Sequence, residues 1–206
     1  HSTRDGKLFF KNVENLVAKL KSRADGYTRE SQLRAIRDFI ERGFAPTLKD
    51  CYQRVVALPP LDELTIDQDA VTLVVYEPNS GGGLHPDLRK FFDDAAFKNR
   101  VLFLSGDRET MGVLLATAAE LRAIESILKE MDAEKVPEND PQRVAAADLK
   151  DKIHLRMLSA ARESFTKLHF PHAQAGKPVL LEADFLMQWT GNDYNGERQI
   201  RDALKG

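Results

Sequence analysis

Along the first forty residues the apolar positions recur at helical rather than strand spacing. Val13, Leu16, Val17 and Leu20 share one helical face, and Leu33, Ile36, Phe39 and Ile40 share another, behind a cap near Thr28 and ahead of Gly43. Two helices are predicted, with Lys7 to Phe10 as a short strand in front of them. Tyr52-Gln-Arg-Val-Val56 is β-prone and stops at Pro59-Pro60. The runs Val71-Thr-Leu-Val-Val-Tyr76 and Val101-Leu-Phe-Leu104 lack polar alternation, the pattern of strands covered on both faces. Between them His85-Pro86 opens a helix carrying Leu88, Phe91, Phe92 and Ala95. Strand, helix, strand at this spacing predicts a βαβ unit with parallel strands.

Further on, Leu114, Leu115, Ala118, Leu121, Ile124, Leu128 and Met131 trace one face of a long helix. Asn139-Asp140-Pro141 caps another helix, striped by Leu149, Ile153, Met157 and Ala160, with a charged linker from Asp132 to Pro141 between the two. Leu168-His-Phe-Pro171, Pro178-Val-Leu-Leu181 and a terminal amphipathic helix complete the pattern. The predicted fold is α/β: a short, mostly parallel sheet flanked by helices, a projecting helical hairpin from about Asp107 to Phe165, and a small C-terminal lobe. Residues 6–165 form the core in this reading and 166–206 the lobe. The first residue is not Met, and the terminal helix ends soon after it begins, so a piece of a longer chain is expected.

Composition narrows the function classes. Across 206 residues, 30 basic and 32 acidic side chains give a net charge of −2, which offers no global field for nucleic acid or an anionic membrane. The single cysteine, Cys51, allows no internal disulfide and no four-cysteine zinc site. No segment has the apolar length of a membrane span, and a soluble chain in the reducing cytoplasm is the expectation.

The phrases Val71-Thr-Leu-Val-Val-Tyr-Glu-Pro78, His85-Pro86, Asn99-Arg-Val-Leu-Phe-Leu-Ser-Gly-Asp107 and Tyr194-Asn-Gly-Glu197 resemble a family of very large bacterial and archaeal AAA-type ATPases, itself catalogued as a domain of unknown function. The resemblance extends over most of the chain, from about Gly6 to Leu204. It implies an accessory segment following an ATPase core, in proteins often found beside restriction-modification or phage-defence functions. It also implies that ATP and magnesium belong to the full-length protein, whose ATPase core would be the first partner. The phosphate-binding loop is missing from this segment: Gly176-Lys177 precedes Pro178, Gly6-Lys7 precedes Leu8, and Gly81-Gly-Gly83 has no lysine. No cofactor is therefore expected here.

Three groups of residues could carry chemistry. Glu77 and Asp107 each follow a predicted strand, and Glu109 lies close behind, so three carboxylates could meet at the sheet's C-terminal edge around magnesium, resembling Toprim-like nucleases. Acids at a helix start, favoured by the helix dipole, account for Asp107 and Glu109 equally well. Asn79, Ser80, Gly81, Gly82, Gly83 and His85 form a candidate ligand loop, with His85 also suited to entering the next helix. Arg29, Arg34 and Arg37, with Lys19, Lys21 and Arg23 before them, and Arg198 and Arg201 in the terminal helix are candidate nucleic-acid contacts, in a lobe that could resemble a winged-helix reader. They are interleaved with Glu30, Asp38, Glu41, Glu197 and Asp202, as on a solvated helix face. His169 and His172 lack a completing ligand for a metal, and Cys51 reads as packing rather than nucleophile. Two functions follow: a non-catalytic accessory domain of a multidomain ATPase that docks protein or DNA partners, or a metal-dependent phosphodiester or phosphoryl-transfer enzyme.

Overall fold

In the computed structural model the backbone is described from Ser2 to Gly206 and the side chains from Val13 onward. The chain forms α1 (Ser2–Asp25), α2 (Arg29–Gly43), β1 (Arg54–Ala57), β2 (Thr72–Val75), α3 (Pro86–Asp94), β3 (Val101–Ser105), α4 (Met111–Ala133), α5 (Pro141–Ser164), β4 (Lys167–Gln174), β5 (Lys177–Asp184) and α6 (Gly196–Lys205). The class is α/β, as expected: a five-stranded mixed sheet in the order β1-β2-β3-β4-β5, flanked by helices. No described helix is long and apolar enough to cross a membrane.

Two expectations are corrected. Lys7 to Phe10 is helical, inside α1. No strand among the described residues lies beside it, and extending an existing helix adds one hydrogen bond per residue, whereas a lone strand gains none. The second correction concerns the C-terminal residues. β4 pairs antiparallel with β3 (Leu104 opposite Leu168), so residues 167–184 continue the sheet rather than begin a separate lobe. The sheet is accordingly half parallel, β1-β2 and β2-β3, and half antiparallel, β3-β4 and β4-β5. The reason lies in topology: a two-helix connection between β3 and β4 reverses chain direction, whereas the single α3 between β2 and β3 preserves it.

The chain divides into two compact units. Residues 1–35 and 115–158 form the first, and residues 36–114 and 159–206 the second. In the first unit Lys19 and Arg23 of α1 reach Glu130 of α4 at 3.1 and 2.7 Å, and Arg23 also donates to Ser126. The helical hairpin is present: Glu120 of α4 pairs with Arg156 of α5 at 2.9 Å, and Asp132 pairs with Arg143 one end closer to the turn. These pairings fix α4 and α5 as antiparallel neighbours. Asp140 caps α5 through the N–H of Gln142 at 2.9 Å.

The second unit holds the sheet. Thr72 to Val75 and Val101 to Ser105 are buried throughout, as expected for strands covered on both faces. On one face Val74, Val101 and Phe103 pack with Leu88 and Phe92 of α3 and with Leu180 of β5. The connection from β1 to β2 contains no helix. Instead Leu61, Leu64 and Ile66 of that loop pack against the same cluster, doing the covering that a crossover helix normally does.

Candidate functional site

The sheet's C-terminal edge forms as the sequence suggests. After β2 and β3 the two exits run side by side, with Asn79 N–H donating to Gly106 C=O at 2.8 Å and Ser105 Oγ–H to Glu77 C=O at 2.8 Å. On its other side Gly106 abuts the end of α5, where a Cβ would lie 2.0 Å from the carbonyl oxygen of Ser164. Glu77 and Asp107 thus leave neighbouring strands. Their carboxylates take separate surroundings: Glu77 Oε1 lies 3.8 Å from His85 Nε2, while Asp107 is exposed and acts electrostatically on Lys167. Glu109 is exposed as well. Among the described residues no three His, Cys, Asp or Glu side chains are grouped to hold a metal ion, so these three carboxylates do not gather.

His85 is pinned on several sides. Its Nδ1 accepts from Asp87 N–H at 3.1 Å, which makes it the N-cap of α3, and its ring stands edge-on to Tyr76 at 5.2 Å. With Nδ1 accepting, neutral His85 carries its proton on Nε2, the nitrogen nearest Glu77. The glycine loop beside it is ordered by Asn79, whose side-chain amide donates to Gly82 C=O at 2.7 Å. Gly82 and Gly83 have positive φ and nothing within 4 Å of a Cβ position, so they serve the turn and leave open space around it. Ser80 and Gly81 are exposed beside them.

The arginines fall into different settings. Arg29 and Arg34 are exposed on α2 in the first unit. In the second unit Arg37 bonds the carbonyl of Leu58 through Nε and Nη2 at 3.2 and 3.1 Å, holding the turn after β1. Arg201 pairs with Asp50 at 3.0 Å. Arg198 is exposed on α6 and lines a groove. His169 and His172 have opposite-facing side chains, because their spacing along β4 is odd. Burial holds His169 below the ordinary histidine range, with Glu182 opposing that shift.

Two features have little signature in the sequence. One is a groove of about 1150 Å³ at the end of the second unit, bounded by the segment after β5 and by α6. Trp189 stands in its wall with the Arg162 guanidinium 5.8 Å from the ring centre. Gln188 and Gln199 bond each other twice, Gln188 N–H to Oε1 at 3.1 Å and Nε2–H to Gln188 C=O at 2.8 Å, fixing the segment to the helix. Arg162 and Arg198 line the groove together with Asp184, Asp193 and Asp202, a mixed charge with a slight acidic excess.

The other feature is Glu197, only 2 % exposed. Its carboxylate accepts from Thr47 N–H at 2.6 Å, Thr47 Oγ–H at 2.9 Å, Leu48 N–H at 3.0 Å and Lys49 N–H at 2.6 Å. Burial opposes the charge most, yet these donors together hold the group below the usual carboxylate range. Nearby, burial pushes the Cys51 thiol up to about 11, with Asp50 and Glu197 adding to the shift. A thiol so held is protonated near neutrality, which agrees with a packing role. In the sequence Glu197 is marked by the Tyr194-Asn-Gly-Glu197 phrase and is otherwise one of the acids interleaved with Arg198 and Arg201.

No family model matches the chain, and no curated protein or solved structure matches it either.

Proposed function

We propose that this chain is a non-catalytic accessory segment of a larger ATP-driven cytoplasmic protein and that it docks a peptide segment of a partner protein in the C-terminal groove. The observation that carries the docking reading is the groove itself: large, open, walled by Trp189 and lined by charges of both signs. An aromatic wall with mixed polar rims suits a protein segment. A phosphodiester backbone would instead call for an excess of cations, and the lining has two arginines against three aspartates. ATP binding and hydrolysis fall to other parts of the larger protein in this reading, and the resemblance of the strand-end phrases to AAA-type ATPases supports that placement. The segregated carboxylates Glu77, Asp107 and Glu109 favour docking over metal-dependent chemistry.

The test is selection of a displayed random-peptide library on the whole chain, repeated on Trp189→Ala and Arg198→Glu. Enrichment of a common motif that both variants lose supports the reading. Enrichment that survives both substitutions removes the groove from it. Magnesium-dependent cleavage of DNA or an aryl phosphate, abolished in Glu77→Ala and Asp107→Ala, overturns it in favour of an enzyme.

A further inference from the structure

The two edges of the sheet are finished differently. At β1 the outward-facing N–H of Ala57 donates to Glu41 Oε1 at 3.2 Å, so α2 caps that edge with a side chain. At the other end no strand lies beyond β5 among the described residues. The register shows which backbone groups face outward there. Ala175 and Gly176, with φ of 50° and 77°, form the two-residue turn that closes the hairpin on Gln174 and Lys177. Such a turn makes the closing pair a hydrogen-bonded one, and Phe185 N–H to Thr166 C=O at 2.8 Å continues the same alternation. The odd residues of β5 therefore bond β4. The even residues, Pro178, Leu180, Glu182 and Asp184, direct their backbone groups to the free edge.

Pro178 has no N–H and blunts the edge at the hairpin end. From Leu180 onward three donors remain, alternating with their carbonyls. Leu180, on the same face as Glu182 and Asp184, packs against Val74, Val101 and Phe103, so the two acids are the charged side chains that this face offers along the edge. Glu182 and Asp184 lie on the face shared with Lys167 and His169, where one lysine serves both carboxylates, at 3.6 and 2.6 Å. Leu181, 40 % exposed, and Val179 lie on the opposite face.

We propose that the free edge of β5 takes up an extended segment of a partner protein by strand addition, the segment carrying cations at alternate positions beside Glu182 and Asp184 and aliphatic side chains between them beside Val179 and Leu181. The backbone ladder supplies attachment and the alternation supplies choice. Charge complementarity selects the occupant, because Glu182, Asp184 and Asp107 outnumber Lys167 and Arg89, the cations that act on this face, while burial disfavours the charge of His169, 3.9 Å from Glu182. The proposal is independent of the groove, which shares only Asp184 with the edge.

The probe is a short peptide of alternating Lys and Val, titrated into the isotope-labelled whole chain at low salt, with an alternating Glu and Val peptide as comparison. Amide shifts centred on Leu180, Glu182 and Asp184, with affinity for the Glu peptide about tenfold weaker or more, are expected. Glu182→Pro removes the outward N–H at a position that β4 does not use, as Pro178 already does, whereas Glu182→Gln keeps it. Binding is expected to survive Gln with a few-fold loss and to vanish with Pro. Equal binding by the two variants, or shifts centred elsewhere, overturns the proposal. So do shifts at these amides that appear on raising protein concentration alone, since the occupant is then a second copy of the chain. Should Glu182→Pro fail to fold, the contrast between the two peptides on the unaltered chain decides.

Discussion

Glu197 and Lys49, 148 residues apart, are joined by a 2.6 Å hydrogen bond from the Lys49 amide to the Glu197 carboxylate. The same carboxylate takes the amides of Thr47 and Leu48, so one buried charge at the start of α6 organises three consecutive backbone groups. Glu197→Ala strands those donors beneath the helix and is expected to cost about 3 kcal/mol, read by chemical denaturation.

The pH dependence of that contribution has a definite sign. Glu197 is held below its ordinary value of 4.5 in the fold, so the unfolded chain binds the proton more readily. Its stabilisation is complete above the ordinary value and is lost as pH falls through the lower, folded one. The stability difference between the natural chain and Glu197→Gln should accordingly be constant at neutral pH and shrink below about pH 4.5. Denaturation curves at stepped pH read it directly.

Two glycines should resist even alanine. A Cβ on Gly106 meets the Ser164 carbonyl at 2.0 Å, and one on Gly196 meets the fully buried Phe44 ring at 2.3 Å. Backbone on one side and a packed aromatic on the other give no cheap relief. Each substitution is expected to destabilise by about 3 kcal/mol, whereas Gly112→Ala, with nothing within 4 Å, should be neutral or stabilising within a helix.

At the hairpin turn the expectation runs the other way. Ala175 occupies φ of 50°, a conformation in which its Cβ is strained, ahead of Gly176 at 77°. Ala175→Asn supplies the residue pair this turn favours and should stabilise by about 1 kcal/mol in the same denaturation assay.

Cys51 should alkylate slowly. With its thiol pushed up to about 11, the thiolate fraction at pH 8 is small. Iodoacetamide modification is expected to run roughly a hundredfold slower than for an unperturbed cysteine, and denaturant should abolish the difference.

What the sequence discloses follows the range of each interaction. The stripes of α2 and α4, the buried runs of β2 and β3 and the caps at Thr28, His85 and Asp140 depend on near neighbours, and all are readable by periodicity. The membership of β4 in the same sheet depends on pairing Leu168 with Leu104, a choice made across 64 residues, and no local pattern encodes it. Glu197 looked like an acid interleaved among arginines because its partners are backbone amides, which every residue carries. Arg37 and Arg201 looked like free cations for the same reason: their acceptors, the Leu58 carbonyl and Asp50, lie far away in sequence or belong to the main chain.

The chain leaves the sheet at Ser105 and rejoins it at Lys167. Closing a flexible loop of that length is entropically costly and slows β pairing. Here the excursion is a helical hairpin whose own pairings, Asp132 with Arg143 and Glu120 with Arg156, lie successively farther from the turn. Zipping of that hairpin shortens the effective loop until Thr110 and Ser164 stand 2.7 Å apart at its base. The expected order is helices before the third strand pairing, and in that case weakening the hairpin at Arg156 slows refolding of the sheet more than it speeds its unfolding, as stopped-flow refolding and unfolding would read.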